Sequence, residues 1–132
     1  MSVAAYKRTI RESESPRQIE RRVLSQITGR MEADAERYDM TQDRLERGAI
    51  LAQGLRDALR DNATAWSIMR HDLAESGNAL PPQLKAGLIS ISLWVERQTT
   101  AIMGGAGGVS ALAEVNRNII DGLSGIAPRT AA

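Results

Sequence analysis

The sequence contains no cysteine, no phenylalanine and a single histidine among its 132 residues. Without cysteine the chain can form neither a disulfide bond nor a thiolate zinc site, and it has no thiol nucleophile. One histidine cannot supply a pair of imidazole ligands, so we expect no metal and no other cofactor. The sequence also lacks the long apolar run of a membrane span, and its start lacks the apolar segment of a secretory signal, which predicts a cytoplasmic protein.

The sequence also has no large excess of positive or negative charge, because 17 Lys+Arg balance 16 Asp+Glu and leave a net charge of +1. This balance and the 3% content of aromatic residues argue against direct binding of nucleic acid. The charges are nevertheless uneven, with 15 among the first 40 residues and seven among the last 52. The C-terminal part is therefore expected either to be buried or to be covered by a partner.

Helical periodicity dominates the first two thirds of the chain. Ser15 and Pro16 have the residue types of a helix start, and apolar residues such as Val23 follow at steps of four. A second stripe in steps of three and four runs through residues 45–73, after a start at Asp39 or Thr41. It predicts one long helix, with a break into two helices at Asp61-Asn62 as the alternative.

The last third predicts two further helices. Pro81-Pro82 suits a helix start, and the following helix, up to about residue 103, is apolar over most of its circumference. The alternation from Ile89 also permits a short strand, which the flanking helical pattern disfavours. Residues 104–108 predict a flexible glycine-rich linker rather than a phosphate-binding loop, since no lysine or strand accompanies them. Ser110 is expected to cap the last helix.

These patterns predict an all-α fold, a small bundle of four to five helices with one long helix and a C-terminal helix after a Gly-rich linker. We expect residues 1–132 to form a single domain with flexible ends at 1–14 and 126–132. The lone His71 lies beside acidic residues without a candidate nucleophile, so the sequence predicts no enzyme.

The apolar stretch at residues 80–103 allows two interpretations that the pattern does not separate. It is either an ordinary core helix or one wall of a groove for the amphipathic helix of a partner, with the last helix free to open or close that groove. The residues assigned to such a groove are Leu84, Leu88, Ile91, Trp94, Val95, Ile119 and Leu123.

The order and spacing of several short segments resemble those of the FlaF family, small bacterial proteins of flagellin biosynthesis. The resemblance covers most of the chain, although residues 104–108 and the tail after Gly125 are less typical. The residues that carry it are Ala5-Tyr6, Ser15-Pro16-Arg17, Glu20, Trp66, Asp72-Leu73, Asn78-Ala79-Leu80-Pro81, Leu84, Leu88-Ile89-Ser90-Ile91 and, at the end, residues 114–123.

The resemblance implies a non-enzymatic role in flagellin production. It suggests a dedicated chaperone that binds a helical terminal region of flagellin and supports its synthesis and secretion. The alternative is a post-transcriptional regulator of flagellin mRNA translation, acting directly or through a partner protein that regulates this translation. A third interpretation is a structural homodimer that pairs through the stripe at residues 45–73.

Overall fold

The described part of the chain folds into helices only. The computed structural model describes the backbone of residues 16–123 and the side chains of residues 21–122. No strand occurs in this range, which confirms the all-α prediction; the ends predicted to be flexible lie outside it. The helices are α1 Pro16–Met40, α2 Arg44–Ile50, α3 Arg56–Ala74, α4 Pro82–Met103 and α5 Val109–Leu123, and a π-helical turn at Leu51–Leu55 joins α2 to α3.

The predicted long helix is confirmed as one 31-residue helical stretch made of α2, the π-helical turn and α3. It passes through Asp61-Asn62 without a break. The irregularity lies at Gly54, whose φ of +136° departs from helical geometry. A π-helical turn accommodates one residue more than an α-helical turn. The residues of α2 are therefore rotated about the helix axis relative to those of α3.

This rotation corrects the predicted face of α2. Leu45, which the stripe places inside, is 86% exposed, whereas Ile50 and Leu51 are buried. After the turn the stripe is buried as predicted, at positions that include Leu55 and Leu59. Because that half of the stripe packs within the bundle, it offers no free surface for a homodimer.

The bundle forms by pairwise packing of antiparallel helices. α5 packs mainly on α1, α4 packs mainly on α3, and α1 also packs on α3. In α1 the buried face contains Leu24 rather than the predicted Val23, which is 41% exposed. Side chains of all five helices meet in one hydrophobic cluster, whose members include Met31, Tyr38, Ile50, Leu55, Leu59, Trp66, Val95, Ile102 and Leu112.

Residues 104–108, here called the glycine connection, are held by hydrogen bonds and do not form the free hinge expected from their composition. The hydroxyl of Tyr38 donates to the carbonyl oxygens of Ile102 at 2.7 Å and Ala106 at 3.0 Å. Arg47 donates to the carbonyl oxygen of Gly105 at 2.8 Å, and its guanidinium lies 5.1 Å from the ring centroid of Tyr38. The path from α4 to α5 is therefore fixed by side chains of α1 and α2.

The N-terminus of α5 is capped from a distance rather than by Ser110. The carboxylate of Asp39, near the end of α1, accepts hydrogen bonds from the backbone N–H groups of Gly108, Val109 and Ser110 at 2.9 to 3.0 Å. These are among the N–H groups that a helix start leaves without an internal partner. The cap of α2 is instead Asp43, whose Oδ1 accepts from the N–H of Leu45 at 2.9 Å.

Candidate functional site: a groove between α4 and α5

The two helices assigned to a partner surface are neighbours that pack poorly on each other. α4 and α5 touch one another much less than they touch α3 and α1. The glycine connection joins them at one end, where Gln98 lies against Gly108. Away from this connection, apolar side chains of both helices stay partly exposed, and the surface between the two helices is here called the groove.

The wall formed by α4 follows from its helical spacing. Ile91 and Trp94 precede Gln98 by seven and four residues, so they share the flank of α4 on which Gln98 lies against Gly108. Both side chains pack against the core and keep part of their surface in solvent. Leu88 is likewise partly exposed, and Leu84, nearer the start of α4, is 49% exposed.

The wall formed by α5 contains Val115 and Ile119, which also pack partly buried against the core. They lie on the flank opposite Arg117, whose guanidinium forms an ion pair with Glu32 of α1. The hydrogen bond from Arg117 lowers the pKa of Glu32 more than burial raises it, so this pKa lies below its ordinary value. α5 is thus joined to α1 by polar contacts on one flank and presents apolar side chains to the groove on the other.

A buried polar network holds the helices beneath the groove. The amide of Asn116 donates to Thr28 at 3.0 Å and to Asn62 at 2.7 Å, and its oxygen accepts from the indole N–H of Trp66 at 2.9 Å. The hydroxyl of Ser92 donates to the backbone oxygen of Trp66 at 3.3 Å. These bonds connect α1, α3, α4 and α5, so the groove is built on a fixed base.

The structure divides the residues that the sequence assigned to this site. Leu84, Leu88, Ile91, Trp94 and Ile119 all retain exposed surface. Val95 was wrongly assigned, because it is fully buried and belongs to the core. The side chain of Leu123 lies outside the described residues.

Sequence reasoning missed one residue of the site. Val115 of α5 packs partly buried against the same core as Ile91 and Trp94. Val115 precedes Ile119 by four residues, so helical spacing alone could have added it.

Fixed charge is scarce on the walls of the groove. Lys85 is the one basic residue in the first half of α4, and its ammonium donates to the backbone oxygen of Asn78. Arg70 of α3 forms an ion pair of 2.9 Å with Glu96 of α4. The surface is therefore suited to an apolar helix face rather than to a phosphate or a strongly charged peptide.

Within the part of the chain that the structure describes, no cluster of three or more His, Cys, Asp or Glu residues is arranged to hold a metal ion. No helix in this part combines the length and the apolar character needed to span a membrane.

Comparison with known proteins identifies one family. The family model described as "Flagellar protein FlaF" matches residues 2–123, which is nearly the whole chain. No curated protein and no solved structure matches the chain.

Proposed function

The chain belongs to the FlaF family of flagellar proteins, and we propose that it is a dedicated chaperone for flagellin. In this proposal the groove between α4 and α5 binds an amphipathic helix from a terminal region of flagellin and so supports its synthesis and secretion. The role is non-enzymatic and is exercised in the cytoplasm, before flagellin is exported.

The observation that carries the proposal is the pair of unpacked apolar flanks. Ile91 and Trp94 on one helix and Val115 and Ile119 on the other pack partly buried against the same core, and each keeps exposed surface. An amphipathic helix laid between them would bury both flanks.

Affinity in this arrangement comes from buried apolar area. Burial supplies about 25 cal/mol for each Å² removed from water, before the costs of association are subtracted. An aromatic side chain such as Trp94 is the residue type most often found at the energetic centre of an interface. Flagellin that is not yet assembled is a suitable client, because its terminal helices are expected to pair with one another only in the filament.

The proposal is tested by placing a charge in the groove. Leu88→Asp and Ile119→Asp should each lose co-purification with flagellin, since a carboxylate buried against an apolar helix has no partner. Leu93→Asp is the matched control on α4. Leu93 is 43% exposed and lies about half a helical turn from Ile91, away from the groove.

Circular dichroism must show that all three variants remain helical. Retention of flagellin by folded Leu88→Asp and Ile119→Asp, at the level of Leu93→Asp, would refute the assignment of the groove. A shift of flagellin leader RNA by the purified protein at low salt, lost as salt is raised, would instead support the translational regulator.

A further inference from the structure

The face that α2 buries differs from the face that its periodicity predicts. Leu45, Gly48 and Ala52 continue the stripe of α3 in steps of three and four, yet all three are exposed. Ile50 and Leu51 fill the core in their place, with exposures of 2% and 3%. The sequence is therefore compatible with two placements of α2, one with a kink and one that continues α3 as a straight helix.

The kink depends on Gly54. The N–H of Arg56 donates to the carbonyl oxygen of Leu51, five residues earlier, and Gly54 has a φ of +136°. L-residues with a side chain rarely adopt this backbone conformation, whereas glycine adopts it at little cost. A Cβ at Gly54 would meet no atom within 4 Å, so the need for glycine is set by the backbone and not by space.

In its kinked position α2 contacts the glycine connection. Arg44 donates to the carbonyl oxygen of Gly104 at 3.2 Å, and Arg47 donates to that of Gly105 at 2.8 Å. Arg47 also donates to the backbone oxygens of Tyr38 and Asp39 at 3.2 and 3.3 Å. A straight helix would rotate both guanidinium groups away from these carbonyls, since one residue of winding corresponds to about 100°.

We propose that α2 is a latch with two positions. In the kinked position, which the structure shows, Arg44 and Arg47 hold the glycine connection and fix the angle between α4 and α5. In the straight position α2 continues α3, the connection loses its contacts with Arg44 and Arg47 and is held by α1 alone, and α5 gains freedom to move relative to α4. Coupling of this latch to partner binding rests on the proposed function of the groove.

The balance between the two positions follows from what each one contacts. The kinked position buries Ile50 and Leu51 and makes the arginine contacts, so it is favoured in the free protein. The straight position restores regular helix geometry at Gly54 and aligns the apolar stripe. A ligand that separates α4 from α5 would have higher affinity for the straight position and would shift the population towards it.

Spin labels can measure the latch without any partner. The chain has no cysteine, so Ala49→Cys on α2 and Ala101→Cys on α4, both at exposed positions, give a single labelled pair. We expect the otherwise wild-type protein to give one distance population and Gly54→Ala to add a second, longer one. Gly48→Ala is the matched control, because its Cβ also meets open space but its φ is not positive.

Arg47→Gln provides a second route to the same result, because it removes the contacts of Arg47 with Gly105, Tyr38 and Asp39 while Gly54 is kept. It should add the longer population too, and it decides the test if Gly54→Ala does not fold. A single unchanged distance in folded Gly54→Ala, or in folded Arg47→Gln, would overturn the latch.

Binding of a flagellin terminal-helix peptide then tests the coupling to the groove. Gly54→Ala should bind at least about fivefold more tightly than wild type. The variant already populates the straight position of α2, so less free energy of binding is spent on reaching it. Gly48→Ala should bind like wild type. Equal affinity in all three proteins would overturn the coupling. Failure of every protein to bind the peptide would refute the proposed function, while the distance measurement would still decide the latch.

Discussion

The two ends of the bundle are built differently. At the closed end, defined by the glycine connection and the side chains that hold it, Tyr38, Asp39 and Arg47 bond directly to backbone atoms. At the open end, defined by the groove residues of α4 and α5, apolar side chains such as Leu84 and Ile119 remain partly exposed. The same bundle thus has one end fixed by hydrogen bonds and one end with exposed apolar surface.

With two such ends, a small helical protein combines a fixed fold with an adaptable surface. Hydrogen bonds to the backbone are directional, so they fix the path of the chain between α4 and α5. Apolar contact is non-directional and grows with buried area, so a half-covered groove can accept a partner helix without a unique set of polar contacts. Residues of the closed end should therefore matter most for stability, and residues of the open end most for binding.

The largest loss of stability is expected from Tyr38→Ala at the closed end. The substitution empties a fully buried site and removes both hydrogen bonds to the connection. We expect the free energy of unfolding in urea to fall by about 3–5 kcal/mol. Tyr38→Phe, which keeps the ring, should lose only about 1 kcal/mol. Equal losses in the two variants would show that the packed ring contributes nothing measurable.

Between the two ends, Asn116→Ala should remove about 2–3 kcal/mol of stability. It leaves the indole N–H of Trp66 and the buried polar atoms of Thr28 and Asn62 without this partner, and buried polar groups are costly when unpaired. Asn118→Ala, at an exposed position of the same helix, should stay within about 0.5 kcal/mol of wild type. Thermal unfolding that does not distinguish the two variants would contradict the importance of the network.

A smaller effect, about 1 kcal/mol, is expected at neutral pH from Asp39→Ala, which removes the cap of α5. Burial raises the pKa of Asp39. Hydrogen bonds from the backbone of Ser110, Gly108 and Val109 together lower it by more than burial raises it, so the folded pKa lies below the ordinary 3.8. The contribution is therefore complete above the unfolded pKa and is lost as pH falls from about 3.8 through the folded pKa.

The pH dependence separates this cap from other acidic groups. Unfolding measured between neutral and acidic pH should show a difference between wild type and Asp39→Ala that shrinks as the pH falls below 3.8. A difference that stays constant over this range would mean that the carboxylate charge of Asp39 does not stabilise α5.

The smallest effect on stability is expected at the open end. Leu84 is 49% exposed, so Leu84→Ala should lower the free energy of unfolding by less than about 1 kcal/mol. The same variant should bind flagellin more weakly than wild type in a pull-down. A stability loss as large as that of Tyr38→Ala would remove the distinction between the two ends.

The helices of this protein follow largely from local sequence, and their contacts do not. Pro16 and Pro82 begin the first and fourth helices as predicted, because a fixed φ and a missing N–H suit a first turn. The cap formed by Asp39 was not predictable, because its backbone partners are about 70 residues away in the chain. Similarly, nothing in the local pattern indicates that Asn62 meets Asn116, 54 residues later.

The candidate site shows the same division. Helical spacing placed Ile91, Trp94 and Ile119 on apolar faces, and the structure leaves all three partly exposed beside the same groove. It could not separate them from Val95, because a core side chain and a groove side chain differ only in what covers them. Whether a side chain of α4 is covered depends on where α5 lies. The glycine connection and its hydrogen bonds fix that position of α5.

Helix starts, periodicity and segment order are local properties of the chain, and they were sufficient to predict the helical class, the long helix and the family. The kink at Gly54, the buried face of α2 and the ordered path of the glycine connection arise only when the helices pack. Each of these depends on free energies of contact between residues distant in sequence, which a periodic pattern does not contain.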